Sequence, residues 1–419
     1  MKTKLSMALA QFFLLPTIAI AAPDAVVMNG NSDGPGSLKA ALASGANKIV
    51  IQDIVSTISV TETLEYTGTI ALSIAGSGQT LDATGIAIDD DIIVVTNGAD
   101  LTMSDLSLVG PGNYKGYFAE DKDDGGKGIF VNVPETRAGV VSVKLTDVTV
   151  SGTGYHGIHI SDCTLGDSCG GGSGGGGNGS PASIDVQLVG VTVDGVGFGS
   201  QDADGVRVDE RADGDIYFTV KNSTFINVGA DGVELDEGNN GDVIINVGNS
   251  SFNNNGDYCL FDTNLLDTHA CYDDGDPDVD DGFDIDEAGP GSITGKIHNL
   301  IVSNNYDEGL DFDEEDAGGI DLEIVAVSAF NNEDEGIKAS EEDEGSINIS
   351  LSAIDLQGNN GSKEDSEIEE EDEGTVAVTV NGSYIDELKI EEDGTEPGTV
   401  KVRGSTIVEP LDLENIDEI

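Results

Sequence analysis

Asp204-Gly205-Val206-Arg207-Val208-Asp209-Glu210 is the first of a series of short acidic stretches in the second half of the chain. It returns as Asp231-Gly232-Val233-Glu234-Leu235-Asp236-Glu237, as Asp281-Gly282-Phe283-Asp284-Ile285-Asp286-Glu287 and as Glu308-Gly309-Leu310-Asp311-Phe312-Asp313-Glu314. A decayed copy follows at Glu335-Gly336-Ile337-Lys338-Ala339-Ser340-Glu341. The copies start 27, 50, 27 and 27 residues apart, and the longer step holds an insertion. A fixed period of this length means stacked units rather than one closed globule.

Each unit holds three strand-like runs. Ile216 to Val220 follows the first acidic stretch, then a turn from Asn222 and a short apolar run ending at Val228. The apolar residues alternate, and Gly or Asn punctuates every eight or so positions, which fits strands and not helices. Three strands and three turns in about 27 residues make one rung of an all-β, right-handed, single-stranded parallel β-helix, with rungs roughly 4.8 Å apart. The Asn-rich turn followed by Asp-Gly and an apolar residue resembles the rungs of the pectate-lyase-like β-helix superfamily over most of residues 37–408. Gly36-Ser37-Leu38-Lys39 is similar to the start of such chains, and Leu38 to Leu42 is expected as a helix covering the open end of the solenoid.

The ends and interruptions follow from composition. A basic start at Lys2 and Lys4, an apolar run from Leu5 to Ile20 and an Ala-x-Ala site near Ala21 predict a signal peptide over 1–22. An N-terminal cap is expected over 23–51 and the β-helix over 52–408, with an acidic tail at 409–419. Loop insertions are expected at 111–126, 163–183 and 257–280. The protein is therefore expected to be secreted, periplasmic or held at the cell surface, with no integral membrane segment after signal removal. Its four cysteines fall into two local pairs, Cys163/Cys169 and Cys259/Cys271, which in an exported protein predict two disulfides.

The chain carries 80 acidic and 18 basic side chains, a formal charge of −62. Nucleic acid and anionic membranes are excluded as partners by repulsion. Cations are the natural partners, with bound calcium, a high-salt habitat or both as the origin of the excess. Strand alternation places Phe130, His159, Arg207, Glu234, Asp284, Asp311 and Lys338 in one column facing water. Asn132, Ser161, Asp209, Asp236, Asp286, Asp313 and Ser340 form a second beside it. Like charges ~4.8 Å apart repel by about 0.9 kcal/mol even in water. The Asp209, Asp236, Asp286, Asp313 column, flanked by Glu210, Glu237, Glu287 and Glu314, therefore predicts calcium, which takes six to eight oxygens in flexible geometry. A second calcium loop is expected where Asp276, Asp278 and Asp280 alternate ahead of Glu287. A solvated acidic face is the alternative.

The resemblance also implies chemistry. Pectate-lyase-like enzymes bind polysaccharide on this face, calcium bridging to the uronate while Arg or Lys abstracts a proton. Arg207 and Lys338 match such a base, and His159 would serve in a variant. A basic-rich completing motif is absent and there is no Trp. A hydrolase would use a carboxylate pair, for which Asp202 and Asp204 are nearest. The two classes are thus a calcium-loaded β-helix that interacts with polysaccharide and a calcium-dependent polysaccharide lyase or glycoside hydrolase.

Overall fold

The computed structural model describes residues 24–114, 126–163, 178–200, 202–257, 272–273, 276–277, 279–360, 365–372 and 374–419. The acidic stretches become short strands, Val206–Glu210, Glu234–Gly238, Asp284–Ala288, Asp313–Asp316 and Ile337–Asp343, stacked in parallel within a 12-stranded sheet. The remaining two strands of each rung belong to a 23-stranded parallel sheet that bends around the other side. One rung runs Val206–Glu210, Ile216–Lys221, Thr224–Ile226, and the next pairs with it residue for residue through Arg207↔Glu234, Ile216↔Val243 and Thr224↔Ser251. Among the described residues the chain makes a right-handed parallel β-helix, as expected. The smaller sheet holds twelve strands, one from each rung.

The bends have a local cause. Asn222, Asn249 and Asn299 adopt φ of 54°, 53° and 55° between the long and the short strand, and Asn227, Asn254 and Asn304 do the same after the short one. Asn tolerates this left-handed conformation better than other side chains that carry a Cβ. The interior then fills by alternation. Val206, Val233, Phe283, Leu310 and Ile337 are fully buried in one column, and Val208, Leu235, Ile285 and Phe312 in the next. One interior column is polar: Asn255, Asn305, Asn332 and Asn359 are buried, each amide donating to the carbonyl of the next at 2.9–3.1 Å. An amide carries both donor and acceptor, so such a column satisfies itself.

The helix Leu38–Ala43 caps the end, with the Ser37 hydroxyl accepting from the Ala40 N–H at 3.1 Å and Leu38, Ala41 and Leu42 buried. The solenoid extends beyond both expected limits. Ala25–Val27 and Lys48–Ile51 already stack in parallel, with Val27, Ile49 and Ile51 in the core. Asp412–Glu414 and Ile416–Glu418 add to the sheets where a tail was expected, because Leu413 and Ile416 pack on the core. No helix among the described residues is long and apolar enough to cross a membrane. The segment read as a signal peptide lies outside the described residues. Cys163 is disulfide-bonded, while Cys169, Cys259 and Cys271 lie outside the described residues.

Candidate functional site

The register of the acidic sheet matches the two columns read from the sequence. His159 pairs with Arg207, Arg207 with Glu234, and Glu234 with Asp284; Ser161, Asp209, Asp236, Asp286 and Asp313 align beside them. Their environment differs from the expectation that they face water. Arg207 is 3% exposed and Asp209 not at all. Oppositely charged side chains lie across the sheet and cover one another, and the turn residues Asp202 and Asp204 close over Arg207.

At the N-terminal end of this sheet the charges are paired within the protein. Arg207 bonds Asp209 at 2.8 Å, Asp236 at 2.9 Å, Asp202 at 3.2 Å and Asp204 at 3.4 Å, and also holds Glu234. Arg211 is fully buried and clasps the Asp236 carboxylate with both terminal nitrogens. Burial opposes ionisation of Asp209, but Arg207, His159 and Arg211 outweigh it and hold its carboxyl well below the usual range. Burial would also lower the Arg207 pKa, yet Glu234, Asp209, Asp202 and Asp204 raise it well above its ordinary value. His159 Nε2 lies 2.7 Å from Asp209 Oδ2, and its ring stacks on Phe130 with centroids 5.1 Å apart. Burial keeps His159 below its ordinary pKa despite that bond. His156 Nδ1 accepts from the Asp204 N–H at 2.9 Å, and burial, then His159 and Lys127, lowers the pKa of this ring well below its ordinary value. Lys127 Nζ sits over the Phe130 and Tyr155 rings at 4.9 and 5.2 Å. His156, Arg211, Lys127 and Tyr155 were not singled out from the sequence; their signal is proximity to Gly157, Glu210 or Gly128 at the edge of a rung strand.

Further along, the pairing stops. Between Arg211 and Lys338 the sequence holds only Lys221 and Lys296, and both belong to the other sheet. Here Asp231, Asp281 and Asp284 bring carboxylate oxygens within 4.8 Å of one another. Asp284 and Asp286 form a second such group with Glu234, which Arg207 also holds, and Asp281 and Asp307 a third with Glu308, which Lys338 also reaches. Asp281 is 8% exposed and its Oδ1 has no hydrogen-bond partner. Burial, then Glu308, Asp231 and Asp311, push Asp281 well above the ordinary carboxylate range. Burial with Asp236 and Asp313 pushes Asp286 up to about 8. Lys338 ends the run, 2.8 Å from Asp311, 3.3 Å from Glu308 and 3.8 Å from Asp313. Burial would lower its pKa, but Asp311, Asp313 and Glu308 raise it well above normal.

The expected metal residues are thus divided. Asp209 and Asp236 are neutralised by arginine, whereas Asp286 and Asp313 lie in or beside the unpaired part. Glu210, Glu237, Glu287 and Glu314 are in register with each other but turn to the inner side, as their parity with Val206 and Val208 requires. Glu287 therefore points away from the outer face where it was expected to close a loop with Asp276, Asp278 and Asp280. Of that loop, Asp280 is described; Asp278 and the side chain of Asp276 are not.

No protein-family model matches the chain, and no curated protein matches it in sequence. Among solved structures it is similar to tailspike protein 2 of Escherichia coli O157:H7 bacteriophage CAB120, with 12% identity and a TM-score of 0.41 over 94% of this chain and 46% of that one. It is also similar to the periplasmic alginate epimerase AlgG, with 11% identity and a TM-score of 0.37 over 93% of this chain and 83% of the other. A third likeness is to the family 28 exopolygalacturonase of Yersinia enterocolitica, with 10% identity and a TM-score of 0.31 over 95% and 79% of the two chains. The chain spans about half the length of the tailspike protein.

Proposed function

We propose that the chain is an exported calcium-binding β-helix whose outer carboxylate sheet holds calcium between Arg211 and Lys338 and through it engages acidic polysaccharide. The carrying observation is the Asp231, Asp281, Asp284 group, which gathers oxygens within 4.8 Å with no basic side chain among them. The unpartnered Asp281 Oδ1 fits a cation ligand. Calcium suits an all-carboxylate site better than zinc, which favours nitrogen and sulfur. Bound cations would invert the local charge and let a uronate polymer approach.

Arg207 and Lys338 are poorly suited to abstract a proton, because surrounding carboxylates stabilise their charged forms. A non-catalytic role is therefore favoured over a lyase. Calorimetric titration with calcium, repeated on Asp281→Asn/Asp284→Asn, tests the proposal. Calcium binding that this double variant does not weaken would refute it. Ultraviolet-monitored turnover of uronate polymers with calcium would replace it by the lyase alternative.

A further inference from the structure

The sheet has a second acidic column, on its inner side. Glu210, Glu237, Glu287, Glu314, Glu341, Glu370 and Glu392 occupy one position on successive rungs, each in register with the next, and Asp162 precedes them one residue past the Ser161↔Asp209 pair. All eight are at most 1% exposed. Each glutamate folds under the turn that follows its strand. A methyl group at Gly241, Gly291, Gly318, Gly345 or Gly374 would collide with the Oε1 of the glutamate four residues earlier.

The two ends of the file are satisfied by backbone. Asp162 accepts from the Ser180 and Arg211 N–H groups at 2.6 and 2.9 Å, and Glu392 from Gly394 and Val376 at 3.0 and 2.8 Å. Between them the situation changes. Among the described residues, no backbone N–H and no amide, hydroxyl or basic side chain donates to either carboxylate oxygen of Glu237, Glu287, Glu314, Glu341 or Glu370; the polar groups they meet are one another's carboxyls. The Asn255 to Asn359 column stacks at the same rung spacing without this difficulty, because amides donate as well as accept. Ionised carboxylates only accept, and a dry row of them requires positive charge. Arg211 does not supply it, since its guanidinium clasps Asp236.

We propose that this inner file is a linear array of calcium sites, separate from the outer carboxylate sheet. Two adjacent glutamates offer four oxygens to an ion lying between rungs, and calcium tolerates such a shell where magnesium demands a strict octahedron. At one end a cavity of ≈ 380 Å³, lined by Asn132, Pro134, Thr136 and Asp162, opens beside the first member of the file. Occupancy here does not depend on the outer sites, so the inner file stands or falls independently of the proposed function.

The test uses the full chain, stripped with chelator and equilibrated with calcium at constant ionic strength, with bound calcium counted by atomic emission. Glu287→Gln/Glu314→Gln/Glu341→Gln should bind up to four fewer calcium ions than the parent, because it removes a carboxylate from each of the four inter-rung sites between Glu237 and Glu370 and each site needs carboxylate on both sides. Asp281→Asn/Asp284→Asn should lose a different set, and the combined variant both. Equal calcium counts for the parent and the glutamine triple variant would overturn the inner array and leave the file as proton-sharing acids. Terbium luminescence on the unmodified protein provides a measurement that needs no variant. A long-lived class of ions with almost no bound water supports the file, and only short-lived, hydrated ions would overturn it.

Discussion

At the scale of single residues, Arg207 and Glu237 solve opposite problems. Arg207 is a buried cation surrounded by five carboxylates, so its removal strands Asp209, Asp236 and Glu234 without their counter-charge. Arg207→Ala should destabilise by about 3–5 kcal/mol, the usual cost of breaking a buried ion pair from one side. Arg207→Lys should recover little of it, because an ammonium cannot serve several partners in the planar fork. Chemical denaturation of the three proteins at one calcium concentration checks both outcomes. In the unpaired section the sign reverses. Asp281→Asn should raise the melting temperature in chelator, by relieving repulsion from Glu308 and Asp231, and reduce the gain on adding calcium. An Asp281→Asn protein with the parent's full response to calcium would exclude this residue as a ligand.

At the scale of the strand and its stack, the sequence was most legible where side-chain alternation decides the outcome. The 27-residue step fixed the rung, and both outer columns fell in register from His159 to Lys338. Alternation says which side of a strand a residue takes, and no more. It could not foresee that Arg207 and Asp209 would be covered, because coverage comes from side chains on neighbouring rungs and from the turn at Asp202 to Asp204. The inner turn of Glu210, Glu237, Glu287 and Glu314 was available from parity with Val206 and Val208. The recurrence of Gly four residues after each was a second signal. Their charge made the water-facing side the natural assignment, and geometry overrode it. The asparagine column gives a prediction at this scale. Asn332→Ala breaks the chain of amides from Asn305 to Asn359 and should cost about 1–3 kcal/mol, read from denaturant midpoints at constant slope.

For the whole molecule, the raised carboxyls make stability depend on pH in a defined direction. Burial first, and then neighbouring glutamates, push Glu287 to about 11, Glu341 to about 9 and Glu370 to about 8, from an ordinary 4.5. Burial and then Asp162 raise Glu210 to about 10. Without calcium the folded chain keeps protons that the unfolded chain has released. That stability is fully present below the ordinary carboxyl pKa and is lost as pH climbs through the raised values. In chelator the melting temperature should therefore fall steadily from about pH 6 to about pH 9.5, while saturating calcium flattens the decline. A melting series in chelator, in calcium and in sodium chloride of equal ionic strength separates bound ions from screening. If sodium matched calcium, the acidity would be a general salt adaptation of the surface.

The one-to-one register of successive rungs also has a mechanical meaning. In the two stacked parallel sheets the inter-strand hydrogen bonds join one rung to the next along the long axis, so tension applied between the two ends loads the rungs in series rather than all at once. The coil should then peel open turn by turn, each 27-residue release adding about 90 Å of slack chain to a force trace. Rungs pinned by Arg207 and Arg211 would give way at a force indifferent to calcium. Those between Asp281 and Lys338 would let go early in its absence, and the saw-tooth record would show where along its length the protein depends on its ions.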